Sequence, residues 1–158
     1  MAPGKHRVLV VHGPNLNLLG LREPELYGDV RLETIDEGLR EAGAALGCAV
    51  ECRQSNSESE IIGWIHDALE GFDGIVLNPA AYTHTSVAIR DAIAGTGVPT
   101  VEVHLTNIHG REDFRRTSLT APVCLGTIAG FGARSYGLGL RALMDYLKAS
   151  EPETTQSS

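Results

Sequence analysis

Residues 74–104, GIVLNPAAYTHTSVAIRDAIAGTGVPTVEVH, decide the fold. Gly74–Leu77 is a short, unbroken apolar run and Thr100–Val103 a similar one interrupted by Glu102, the signature of strands buried on both faces. The segment between them predicts a helix over Thr85–Ala94. A strand, a helix and a second buried strand in succession make a parallel unit, because the chain must cross over the sheet to start the second strand at the same end.

The same alternation extends outward in both directions. Apolar runs at Val8–Val11, Ala49–Cys52 and Cys124–Ile128 supply three more strands. Leu32, Ile35, Leu39, Ala42 and Leu46 recur at three- and four-residue steps, as do Ile61, Ile62, Ile65, Leu69 and Phe72, so each set predicts a one-sided helix. A last helix is expected over Ser135–Lys148, with Leu140, Leu143, Met144 and Leu147 on one face. Ser57 and Glu60 match a capping box, and Gly47 and Gly71 stand where the first two helices should stop. Five β-α units call for a three-layer α/β sandwich with a five-stranded parallel sheet. The expected strand order is the flavodoxin-like 2-1-3-4-5, with the ligand site beyond the carboxyl ends of the strands. The expected organisation is one domain over residues 1–149 and a disordered tail over 150–158.

Composition narrows the function. A chain of 158 residues with 42% hydrophobic content can bury one core. Its formal net charge of −7, with thirteen scattered Lys and Arg residues, argues against nucleic acid as a partner. No apolar run approaches the roughly 18 residues of a membrane span, and residues 1–6 lack the apolar core of a signal peptide, so a cytoplasmic protein with no membrane partner is expected. The three cysteines, Cys48, Cys52 and Cys124, lack paired C-x-x-C spacing. Cys48 and Cys52 lie an even number of residues apart, which points both to the core side of one strand.

The polar residues collect where strands end. After the first strand about twenty residues, His12–Arg31, precede the helix, whereas such connections usually run about 2 to 6. This loop, with Asn15, Asn17, Arg22, Glu23 and Tyr27, has the composition of a lid over a ligand or of an Ω-loop packed by its own leucines. Asn78 ends the third strand and His84 follows near the third helix, so both should reach one crevice, although Asn-Pro is also an ordinary turn signal. Glu102 and His104, two apart at the end of the fourth strand, share a face. A carboxylate there can orient an imidazole and support its protonated form, as a general acid requires, or the pair can be a plain strand-end hydrogen bond. Arg111, Arg115 and Arg116 follow and can meet a carboxylate or hydroxyl. Gly126, Gly130 and Gly132 fit no phosphate-loop pattern. His6, His12, His66 and His109 show no metal-ligand spacing, so no metal is expected, and His66 beside Trp64 is read as helix surface.

The segments HGPNLNLLGLREPELYG, LNPAAYTHTSVAIRDAI and VEVHLTNIHGREDFRRTS together resemble the three signature segments of type II 3-dehydroquinate dehydratases, and the resemblance covers nearly all of Arg7–Leu147. It implies a cofactor-free and metal-free hydro-lyase of the shikimate route, converting 3-dehydroquinate to 3-dehydroshikimate by anti elimination through an enolate. It also implies a dodecamer built from trimers. By similarity Tyr27 is the base, made tyrosinate with the help of Arg22, Asn15 holds a water that stabilises the enolate, and His104 is the general acid oriented by Glu102. The same resemblance assigns the substrate carboxylate to the backbone N–H groups of Leu105 and Thr106. It assigns the hydroxyls to Asn78, His84 and Arg115, with Asp91 joining from a neighbouring subunit and Arg111 supporting lid closure. Thr106 stands where relatives often have Ser, and Ala80–Ala81 where glycine is common, which puts close backbone approach to the substrate in doubt.

Two other readings are weaker. The unrelated type I dehydratases use a buried lysine, and the lysines here are Lys5 and Lys148, near the chain ends. A flavodoxin-like binding or signalling module wants a Ser/Thr-rich phosphate loop, or acids where this chain has His12 and Asn78. The step that the resemblance implies is common to aromatic amino acid synthesis and quinate breakdown.

Overall fold

The computed structural model describes residues 5–21 and 30–152. Five strands, β1 (His6–His12), β2 (Cys48–Gln54), β3 (Gly74–Asn78), β4 (Thr100–His104) and β5 (Gly126–Ala129), form one sheet in the order 2-1-3-4-5. Every neighbouring pair is parallel, as expected. Four α-helices connect and cover it: α1 (Leu32–Leu46), α2 (Glu58–Gly71), α3 (Val87–Thr96) and α4 (Arg134–Ala149).

The apolar runs read as strands because alternate side chains enter two separate cores. Val8, Val10, Val76, Val101 and Val103 pack against Ile35 and Leu39 of α1 and Leu140, Leu143 and Met144 of α4. Leu9, Val11, Ile75 and Leu77 face the other way, against Ile61 and Ile65 of α2 and Ile89 and Ile93 of α3. Fully buried side chains of this size contribute about 1.5–3 kcal/mol each, so both faces of the sheet are held strongly. On α4, Gly139 lets the helix sit close to the sheet, since a Cβ there would lie 2.5 Å from Val103 Cγ1. Cys48 is buried and Cys52 half-buried against the same core, and all three cysteines are free thiols.

Local chemistry shifts several boundaries. A 3-10 turn at Ala80–His84 is capped by Thr85, whose N–H donates to Tyr82 O, so α3 begins at Val87 and not at Thr85, with Ser86 Oγ accepting from Ile89 N at 2.9 Å. Strand β5 starts two residues later than its apolar run, because Ala121–Val123 forms another 3-10 turn. The capping box at α2 is half formed: Ser57 Oγ accepts from Glu60 N, while the Ser57 N–H donates to Ser55 Oγ instead of the glutamate. Gly47 ends α1 in the left-handed region at φ 89°, but Gly71 is the last helical residue of α2 and extended Phe72 follows it. Among the described residues no helix is long and apolar enough to cross a membrane.

Candidate active site

The loops leaving β1 and β3 meet at the carboxyl edge of the sheet, and glycine makes this contact possible. Gly13 N donates to Asn78 O at 2.7 Å, and a Cβ on Gly13 would lie 2.6 Å from Pro79 O. Beyond Gly13, Asn15 adopts φ 69°, a left-handed conformation that Asn tolerates better than most residues, and its N–H donates to Asn56 Oδ1 at 2.9 Å. Beyond Asn78, Ala80 is also left-handed at φ 50°, which for alanine costs on the order of 1 kcal/mol. Of the Ala80–Ala81 pair, Ala80 therefore sits where glycine would relax the backbone.

Between these loops and the end of β4 lies an open cleft with an empty volume of about 660 Å³, counting the part open to solvent. That is within the usual size range for small-molecule sites. Asn15, Asn78, His84, His104, Leu105, Thr106 and Arg115 all line it, together with Arg111. Asp91 is exposed on α3 and does not line the cleft of its own chain. Arg22 and Tyr27 lie outside the described residues.

His104 and Glu102 form the buried wall. Glu102 is fully buried, and its Oε2 lies 2.9 Å from His104 Nε2. The sequence did not single out the groups behind this carboxylate: Ser118 Oγ donates to it at 2.9 Å, and Thr120 Oγ1 donates to its other oxygen. Thr83 Oγ1 in turn bonds Ser118 Oγ at 2.6 Å and Thr120 Oγ1 at 2.8 Å, closing a cage of three hydroxyls. The Ser-x-Thr spacing at 118–120 was the one available hint. Burial alone pushes the Glu102 carboxyl up, but the bonds and charge of His104 and the bonds from Thr120 and Ser118 outweigh it and hold the group below the usual glutamate range. An ionised Glu102 only accepts, so Nε2 carries a proton and Nδ1 is the ring nitrogen left for proton exchange. Cys124 nearby stays a thiol, its pKa pushed up to about 12 by burial and then by the charge of Glu102.

The other polar groups are also oriented. His84 Nδ1 lies 2.7 Å from the Thr117 carbonyl, so Nδ1 is the donor and Nε2 the opposite face of the ring. Arg115 bonds Glu112 through Nε and stacks on Phe114 at 5.0 Å. Among the described residues two arginines and two histidines line the cleft and no carboxylate does, in a chain of net charge −7. A small anion suits such a surface.

A family model described as dehydroquinase class II matches residues 6–144. The chain belongs to the class II dehydroquinase family. Within it, the chain is 60% identical over 141 residues to the 3-dehydroquinate dehydratase of a Synechocystis species, covering 89% of this chain and 93% of that one. It is 56% identical over 142 residues to that of Geotalea daltonii, covering 90% and 99%. The crystal structure of the type II dehydroquinase from Propionibacterium acnes superposes with a TM-score of 0.87 at 42% identity, covering 91% of this chain and 99% of that one. In this class II dehydroquinase a further cluster, buried at His12 and half-buried at Asp36 and Cys52, lies outside the residues that line the cleft. His12, Asp36 and Cys52 bring their polar atoms within 4.8 Å of one another. Hydrogen bonds between the His12 ring and Asp36 on one side and Tyr136 on the other engage both of its nitrogens.

Proposed function

We propose that the chain is a type II 3-dehydroquinate dehydratase, a hydro-lyase that needs no metal or cofactor. The observation that carries this reading is the buried Glu102–His104 pair opening on a cleft whose described lining includes two arginines and no carboxylate. The substrate is a carboxylate-bearing cyclic hydroxy-ketone, and its anion matches the lining. Tyr27 takes a proton from the carbon beside the ketone, and the electron pair moves onto the ketone oxygen as an enolate. A tyrosine ordinarily ionises near pH 10, so the guanidinium of Arg22 has to favour the phenolate for this base to work at neutral pH. Asn15 holds a water that stabilises the enolate oxygen. The enolate then reforms its ketone, the carbon–oxygen bond to the departing hydroxyl breaks, and His104 gives that hydroxyl its proton so that it leaves as water. Base and acid act on opposite faces of the ring, which makes the elimination anti.

Backbone N–H groups of Leu105 and Thr106 hold the carboxylate, while Asn78, His84 and Arg115 take the hydroxyls. Asp91, which does not line its own chain's cleft, completes the site of a neighbouring subunit in a dodecamer of trimers, and Arg111 supports closure of the 12–31 loop. The protein works in the cytoplasm. The decisive experiment adds 3-dehydroquinate to the purified, chelator-treated protein and follows the ultraviolet absorbance of the conjugated enone product. Appearance of the enone is expected, and its absence at high enzyme concentration would end the proposal. Tyr27→Phe and Arg22→Ala should each remove most of kcat in the same assay, and a near-normal kcat in Tyr27→Phe would dismiss it as the base.

A further inference from the structure

A chain of hydrogen bonds, buried except at its last link, runs from the cleft to Asp36 on α1, and its direction is fixed at one point. Ala80 N–H donates to a side-chain atom of Asn78 at 3.0 Å, so that atom is the amide oxygen. The amide nitrogen must then be the atom facing Tyr136, to whose hydroxyl it donates at 3.0 Å. The hydroxyl has one hydrogen of its own, and its other partner is His12 Nδ1 at 2.7 Å. Nδ1 is therefore an acceptor, the imidazole proton sits on Nε2, and Nε2 donates to Asp36 Oδ1 at 2.7 Å. Asn78, Tyr136 and His12 are 2%, 1% and 0% exposed, so no water competes for these bonds. Burial raises the Tyr136 pKa well above the ordinary tyrosine range, which keeps the hydroxyl a donor at any working pH. Burial and then the charge of Asp36 push the Cys52 thiol up to about 12, leaving the carboxylate the acceptor of that corner.

We infer that Tyr136, His12 and Asp36 are positioning residues that lock the Asn78 amide with its second N–H toward the cleft, so that this wall accepts a ligand oxygen and rejects a donor. The inference rests on Asn78 being a substrate contact, as proposed above. Flipping the amide would break its bonds to both Ala80 and Tyr136, and a buried amide cannot replace them with water. None of the three residues touches the cleft itself, so their effect must pass through Asn78.

The test is a double-mutant cycle with 3-dehydroquinate, together with the tautomer of His12. Tyr136→Phe should raise KM about three- to tenfold, the range for losing one neutral hydrogen bond, with kcat within about twofold. In an Asn78→Ala background the same change should add nothing. A KM that stays unchanged in a folded Tyr136→Phe protein, or effects that multiply in the double variant, would overturn the inference. Should Tyr136→Phe fail to fold, Asp36→Ala at the more exposed end reads the same way, with an expected KM rise of about two- to threefold. Nitrogen-15 NMR of the wild-type protein should show His12 with a protonated Nε2 and a bare Nδ1. A proton on Nδ1 defeats the inference whether or not the substrate is turned over, whereas a wild-type protein that makes no enone defeats only the functional reading.

Discussion

Two histidines close parallel strands of the same sheet, and each holds a carboxylate through Nε2: His12 to Asp36 at 2.7 Å and His104 to Glu102 at 2.9 Å. The difference lies in the second ring nitrogen. In His12 it is taken by the Tyr136 hydroxyl, and the ring has no exposed surface. In His104 no described residue takes it, and the ring opens on the cleft. A carboxylate–imidazole pair is thus not by itself a reacting group. It becomes one where a nitrogen is left for a ligand, and it becomes a strut where both nitrogens are used.

Replacing each histidine's role in turn should separate the two pairs. His104→Ala is expected to lower kcat by about 10² to 10⁴, the range for a general acid, while Asp36→Ala at the other pair leaves kcat within about twofold. Steady-state kinetics on 3-dehydroquinate decides this, and a His104→Ala protein with full kcat removes that residue from the chemistry. A smaller effect comes from the cage. Thr120→Val leaves one oxygen of a buried carboxylate without its hydroxyl and should cost about 1.5–3 kcal/mol in urea denaturation, as expected for a hydrogen bond to a charged group.

The Glu102 carboxylate also predicts a pH signature. Glu102 titrates below its ordinary range when folded, so its contribution to stability is complete above the unfolded glutamate pKa of about 4.3 and is lost as pH falls through the lower folded value. Glu102→Gln should flatten the acid limb of an unfolding titration, and an unchanged limb would mean the hydroxyl cage does not hold the charge. The smallest effect is expected at Ala80→Gly, where release of the left-handed alanine should stabilise the protein by about 1 kcal/mol or less, read as a small rise in Tm.

Much of this architecture was legible beforehand, for physical reasons that differ by region. Strands β1, β3 and β4 are buried on both faces, so apart from Glu102 in β4 their central residues are apolar, and the helix stripes between them force the parallel order. Edge strand β5 is partly exposed, and it begins two residues after its apolar run because Cys124 caps the preceding 3-10 turn and Leu125 lies in a bend. The start of α3 was misplaced because the Asn78–Ala80 bond commits the chain to a 3-10 turn first. At the site, Glu102 and His104 were readable because two-residue spacing on a strand fixes a shared face. The hydroxyls of Thr83, Ser118 and Thr120 were not, since such residues are common in loops and their convergence is a tertiary event. His12 was read for metal spacing within the sequence, whereas its partners are 24 and 124 residues away.

The contact between Gly13 and the Asn78–Pro79 backbone carries a practical consequence for redesign. It joins two loops into one rigid jaw, so the aperture between Asn15 and Asn78 is dictated by main-chain geometry and not by which side chains decorate it. Swapping lining residues will therefore recolour the cleft without resizing it. Accommodating a bulkier ring would require a longer connection after β1 or β3, and any residue larger than glycine at position 13 would prise the jaw open at its hinge.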